Sequence, residues 1–124
     1  MTIVYTIGVY GSDKERFFAA ITSAGIDIFL DVRRRRGVRG PLYPFANAKR
    51  LTAELHATRA IQYAADDRAK ERKSERRQLA RELKDFRAPV LCCVERYPQG
   101  CHRGLAARLL AAAMNATEVV QLFP

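Results

Sequence analysis

Within the eleven residues from Cys93 to Arg103 (CVERYPQGCHR) lie two thiols, a carboxylate, an imidazole and two guanidiniums. The helix pattern that follows places Cys101 at or just before a helix's first turn. There a thiol feels unpaired backbone N–H groups and the positive end of the helix dipole. His102 and Arg103 lower its pKa further, which favours a thiolate at neutral pH and so a nucleophile or redox thiol. The same donors and basic side chains make an anion pocket. Strand alternation puts Cys93 and Glu95 on one side, with Glu95 as a general base or orienting carboxylate. Cys92 points the other way and reads as a small buried apolar residue. The plainer reading is that Cys101 is a helix cap and Arg103 pairs with Glu95.

A second group follows the run Ile28-Phe29-Leu30-Asp31-Val32. A carboxylate at the end of such an apolar strand requires a partner, and Arg33 or Arg39 is placed to supply it. Asp31 then either organises the loop through an ion pair or contacts a ligand directly. Arg33 to Arg36 form an uninterrupted basic run, a solvated loop that attracts phosphate and can bring several guanidiniums to one anion. Sharper signatures are absent. No cysteine has an arginine six residues on, as a phosphate-cradling C-x5-R loop needs. Gly8 and Gly11 match neither a dinucleotide fingerprint nor a P-loop. A zinc site from Cys93, Glu95, Cys101 and His102 is disfavoured because adjacent Cys101 and His102 fit one tetrahedral ion poorly, so no metal and no cofactor is expected.

These residues need elements to hold them. The alternating, β-branched opening predicts a strand over residues 2–8, and Ser12 or Asp13 then caps a helix with Phe17, Phe18 and Ile21 on its apolar face. Gly25 ends that helix, and Ile26 to Val32 reads as a strand covered on both faces. Asn47 caps a second helix through Leu51 and Leu55, and Ala60 to Ala64 is a third strand. Asp66 to Arg87 carries nine basic and six acidic side chains and reads as a long charged helix packed only near its C-terminal half. It mixes signs too evenly for a DNA-reading helix. Val90 to Val94 is a fourth strand, His102 to Met114 an apolar helix and Thr117 to Leu122 a last strand.

Alternation of strand and helix predicts a single α/β domain over residues 1–124. It is a three-layer sandwich with an open, mostly parallel sheet of about five strands and helices on both faces. Ligands in such folds sit beyond the carboxyl ends of the strands. That rule selects three loops, Gly8 to Asp13, Arg33 to Phe45 and Glu95 to Arg103, each with more polar residues than a plain turn requires.

The chain has 124 residues, 48% hydrophobic and 28% charged, enough for one folded core and too few for two. Its net charge of +9 biases it toward polyanions such as nucleic acid, phosphorylated ligands or acidic lipid surfaces. No apolar run approaches the roughly 18 residues of a membrane span, and the N-terminal segment lacks the pattern of a signal peptide. The expectation is a cytoplasmic protein with reduced thiols and no membrane partner. The pattern leaves the oligomeric state open.

Thr6-Ile7-Gly8 on the first strand, Phe17 or Phe18 in the next helix, Gly25-Ile26 leading to Asp31-Val32-Arg33, and Cys93-x-Glu95-x5-Cys101-His102-Arg103 together resemble the domain-of-unknown-function 488 proteins. The resemblance covers most of the chain, and its last motif is the most specific. It implies a three-layer α/β domain with Asp31, Arg33, Arg39, Cys93, Glu95, Cys101, His102 and Arg103 gathered at one edge, and no particular reaction. Arg36 stands where that family commonly has Pro and Val38 where it has Ser, while Arg39 keeps the final Arg. A ligand contact made by that Ser in relatives would be lost here. Tyr63 also leads almost directly into the charged helix, where relatives often have a longer loop.

Three functions fit, in this order. The first is binding of an anionic ligand, phosphate-bearing, nucleotide or nucleic acid, with enzymatic turnover an open question. Arg33, Arg39 and Arg103 would hold the anion, Cys101 would be the nucleophile, His102 a proton carrier, and Glu95 or Asp31 a base or orienting group. The second is a non-catalytic nucleic-acid-binding module driven by charge. The third is a redox protein in which Cys93 and Cys101 form a reversible disulfide.

Overall fold

The β-branched, alternating residues after Thr2 form β1 (Ile3–Gly8), the first strand of a five-stranded sheet. The structure, a computed structural model, describes residues 1–31, 61–64, 80–93 and 103–124. The other strands are β2 (Ile28–Asp31), β3 (Ile61–Ala64), β4 (Pro89–Cys93) and β5 (Glu118–Leu122). They lie in the order β3-β2-β4-β1-β5, and every neighbouring pair is parallel. Pro89 opens β4, where its missing N–H disturbs the ladder least.

Two helices, α1 (Lys14–Ser23) and α2 (Arg103–Met114), are complete among the described residues, and residues 80–82 are helical as well. The connection from β1 to β2 steps over β4 in one direction, and that from β4 to β5 steps over β1 in the other. Right-handed crossovers running opposite ways must lie on opposite faces. The packing agrees. Phe17, Phe18 and Ile21 of α1 meet Ile7, Phe29, Val90 and Cys92 on one face. Ala107, Leu110 and Ala111 of α2, with Ala80 and Leu83, meet Val4, Ile28, Leu30 and Leu91 on the other. The expected three-layer α/β domain is therefore present. No helix among the described residues is long and apolar enough to cross a membrane.

The α1 face carries the aromatic packing. Phe17 is wholly buried, edge-to-face with Phe18 at 5.3 Å and with Phe29 at 6.4 Å between ring centres. Each such pair contributes about 0.5–1.5 kcal/mol beyond area burial. Asp13 caps α1 as expected, its carboxylate accepting from the Arg16 amide at 2.9 Å. At the far end Gly25 takes φ 68°, and the Ile26 amide reaches back to the Ile21 carbonyl at 3.2 Å. Gly fits that left-handed position without strain. Cys92 is fully buried in this layer, as the sequence predicts.

Two boundaries differ from expectation by more than one residue, and for one reason. β2 begins at Ile28 instead of Ile26, and the helix expected to run to Arg87 ends at Glu82, followed by a turn over 83–85. Asp27 links the two. Its carboxylate accepts from the Arg87 amide at 2.6 Å and the Ala88 amide at 3.0 Å, while its own amide donates to the Ala88 carbonyl at 3.2 Å. The Ile3 amide takes the Arg87 carbonyl at 3.0 Å. With Arg87 and Ala88 engaged across the starts of three strands, the chain must leave the helix before them. The expected helix from Asn47 to Leu55 lies outside the described residues.

Candidate anion-binding site

The topology fixes where a ligand crevice falls. β1 and β4 are neighbours whose connections leave in opposite directions, with α1 on one face and α2 on the other. In open α/β sheets that is the topological switch point, and the crevice lies outside the carboxyl ends of the two strands. The register there pairs Gly8 with Cys93, and on the next strand Asp31 with Cys92. The ends of β1, β4 and β2 are thus consecutive along one edge. Strand parity assigns backbone position 93 to the α2 layer of Leu91 and position 31 to the α1 layer of Phe29. As the crossover from β4 to β5, α2 runs back against the strands, so its first residue, Arg103, starts from the same edge.

Three of the sequence-predicted residues, Asp31, Cys93 and Arg103, therefore have backbone positions at this edge. Arg33, Arg39, Glu95, Cys101 and His102 lie outside the described residues, and with them the alternative of a Cys93–Cys101 disulfide. Among the described residues no group of three or more His, Cys, Asp or Glu is placed to hold a metal ion.

The loop from Gly8 to Asp13 corrects one expectation. Its polar residues serve the turn itself. Gly11 takes φ 82°, Ser12 is buried, and its hydroxyl donates to the Val9 carbonyl at 2.7 Å. Asp13 caps α1 and also faces Arg16, Oδ2 to Nε at 3.5 Å, and Glu15 adds a second carboxylate in the first turn. The positive end of α1 is thus already answered by its own acids, which repel an incoming anion. The first turn of α2 contains no acidic residue. Of the two helix starts at the switch point, only that of α2 lacks acids of its own.

Below the edge, Thr6 is buried on β1 and its hydroxyl donates to the Gln121 side-chain carbonyl on β5. The Gln121 amide donates in turn to the Leu122 carbonyl at 2.8 Å. This side-chain tie adds to the β1–β5 ladder two residues before Gly8. No signal in the sequence singled out Gln121, because the contact joins residues 115 positions apart. No family model matches the chain, and neither a curated protein nor a solved structure matches it.

Proposed function

We propose that this protein binds a phosphate-bearing anion, a nucleotide or phosphorylated small molecule, at the carboxyl edge of its sheet. The observation that carries the reading is the contrast between the two helix starts at the β1/β4 switch point. α1 opens on Asp13 and Glu15, while α2 opens on Arg103 with no acid in its first turn. An N-terminus of that kind offers backbone donors and a positive dipole end to an anion. In this reading Arg33, Arg39 and Arg103 hold the anion, and Cys101 is a thiolate nucleophile beside it. His102 carries the proton, and Glu95 or Asp31 orients the imidazole. The likeness to the domain-of-unknown-function 488 proteins supports the same grouping of residues.

The test is the alkylation rate of each cysteine against pH, read by mass spectrometry with and without inorganic phosphate. Cys101 is expected to titrate well below the free-thiol value of about 8.5. Phosphate is expected to protect it. A Cys101 that titrates like a free thiol and gains no protection rejects the site. Salt-dependent binding of nucleic acid by the +9 surface then becomes the leading function.

A further inference from the structure

At the opposite edge of the sheet the structure holds an open cleft that the switch-point reading does not use. It lies between the end of the helical residues 80–82 and the last turn of α2, with a volume of about 500 Å³. Small-ligand sites fall at roughly 300–1,000 Å³. The space exists because Ala80 and Ala113 line it with single-carbon side chains, and Met114 adds a flexible apolar surface beside them.

The polar lining is one-sided in charge. Arg81 and Lys84, three residues apart, line the cleft, and among the described residues no carboxylate does. Both are exposed, and among the described residues neither has an ion-pair partner. The nearby C-terminus of α2 would ordinarily oppose an anion, but two carbonyls of its last turn, those of Ala111 and Ala112, are engaged. Asn115, at φ 54°, donates its amide to Ala112 at 3.3 Å, and the Ala116 amide reaches Ala111 at 2.9 Å. That closure answers two of the carbonyls that give the helix its negative end. Two cations over an apolar floor select an oxyanion carried on an apolar body, since a guanidinium matches carboxylate or phosphate with two parallel hydrogen bonds.

We propose that this cleft is a second ligand site, taking a small amphiphilic oxyanion whose charged group lies between Arg81 and Lys84 and whose apolar body lies on Ala113 and Met114. The shared chemistry admits an aryl phosphate or an aryl carboxylate, and the test separates them. The 124-residue chain, labelled with ¹⁵N, is titrated with phenyl phosphate, with benzoate and with neutral benzyl alcohol. At least one anion is expected to give saturable shifts of the amides of Thr2, Arg81, Lys84 and residues 113–115. Whichever anion binds tighter identifies the class. In the double variant Arg81→Ala/Lys84→Ala, which removes two exposed side chains, Kd is expected to rise about tenfold or more. Equal binding of benzyl alcohol, an unchanged Kd in the double variant, or the absence of saturable shifts at these amides would overturn the proposal. Cys101 alkylation is expected to be the same in the double variant, so this site and the switch-point site stand or fall separately.

Discussion

On the α1 side of the sheet, three phenylalanines carry the packing, and the helix start is sealed by its own carboxylates. On the α2 side, Ala80, Ala107 and Ala111 sit in the contact, and the helix start has no acid. Both sides bury one face of their helix. The aromatic side has little left for chemistry, since its cap, turn and ring contacts satisfy one another locally. The alanine side holds its helix close with small residues and, among the described residues, leaves charge unanswered at both ends: the acid-free start of α2 at one edge and Arg81 with Lys84 at the other. The aromatic packing thus lies on one face of the sheet, and the acid-free helix start on the other.

Core substitutions of opposite sense should break this division most sharply. Phe17 is wholly buried between two rings, so Phe17→Ala should cost about 3–5 kcal/mol through lost transfer energy and a cavity. Ala107 is equally buried, but there the damage comes from adding volume. Ala107→Leu should cost about 1–3 kcal/mol by forcing α2 off the sheet. Urea unfolding of both variants checks the pair. If Ala107→Leu proved neutral, α2 would be loosely seated, and the claim that small residues hold it close would fail.

Asp27 ranks next and sharpens the comparison from below, because its carboxylate braces the starts of β2 and β4 that both layers share. Asp27→Ala removes the acceptor for two backbone amides, one of them half-buried, and should cost about 1–3 kcal/mol. Hydrogen exchange at Arg87 and Ala88 should accelerate together. Unchanged protection at both would show that the ladder alone holds this turn.

These cases also mark how far the sequence could be read. α1 was legible because everything that specifies it is local: Asp13 as cap, Phe17, Phe18 and Ile21 on one face, Gly25 as stop. The alternation of strand and helix was enough for the layered class, and the rule of carboxyl strand ends placed Asp31 and Cys93 on one edge. The strand order was not legible, since it depends on which strand β4 inserts between. Asp27 was absorbed into an apolar run for the same reason, its partners being about sixty residues away. The loop from Gly8 to Asp13 differs in the other direction. It was read as more polar than a turn requires, whereas the Ser12 hydroxyl serves the Val9 carbonyl three residues back. The cleft with Arg81 and Lys84 was invisible because its two walls come from different helices.

The smallest effects in stability carry the most direct test of the two helix starts. Asp13→Ala should cost about 1 kcal/mol, since the Arg16 amide loses its acceptor, while Asp13→Asn keeps a cap and should cost only a few tenths. Arg103→Glu runs the comparison the other way by giving α2 the first-turn acid that α1 already has. A carboxylate there should add about 0.3–1 kcal/mol of stability by complementing the dipole. It should also disfavour a neighbouring thiolate, so the apparent pKa of Cys101 should rise, and its alkylation at pH 7 should slow several-fold. Phosphate protection should disappear with it. A variant that is as stable as expected yet keeps the original Cys101 profile would separate helix electrostatics from thiol reactivity, and the α2 start would then be no different in kind from that of α1.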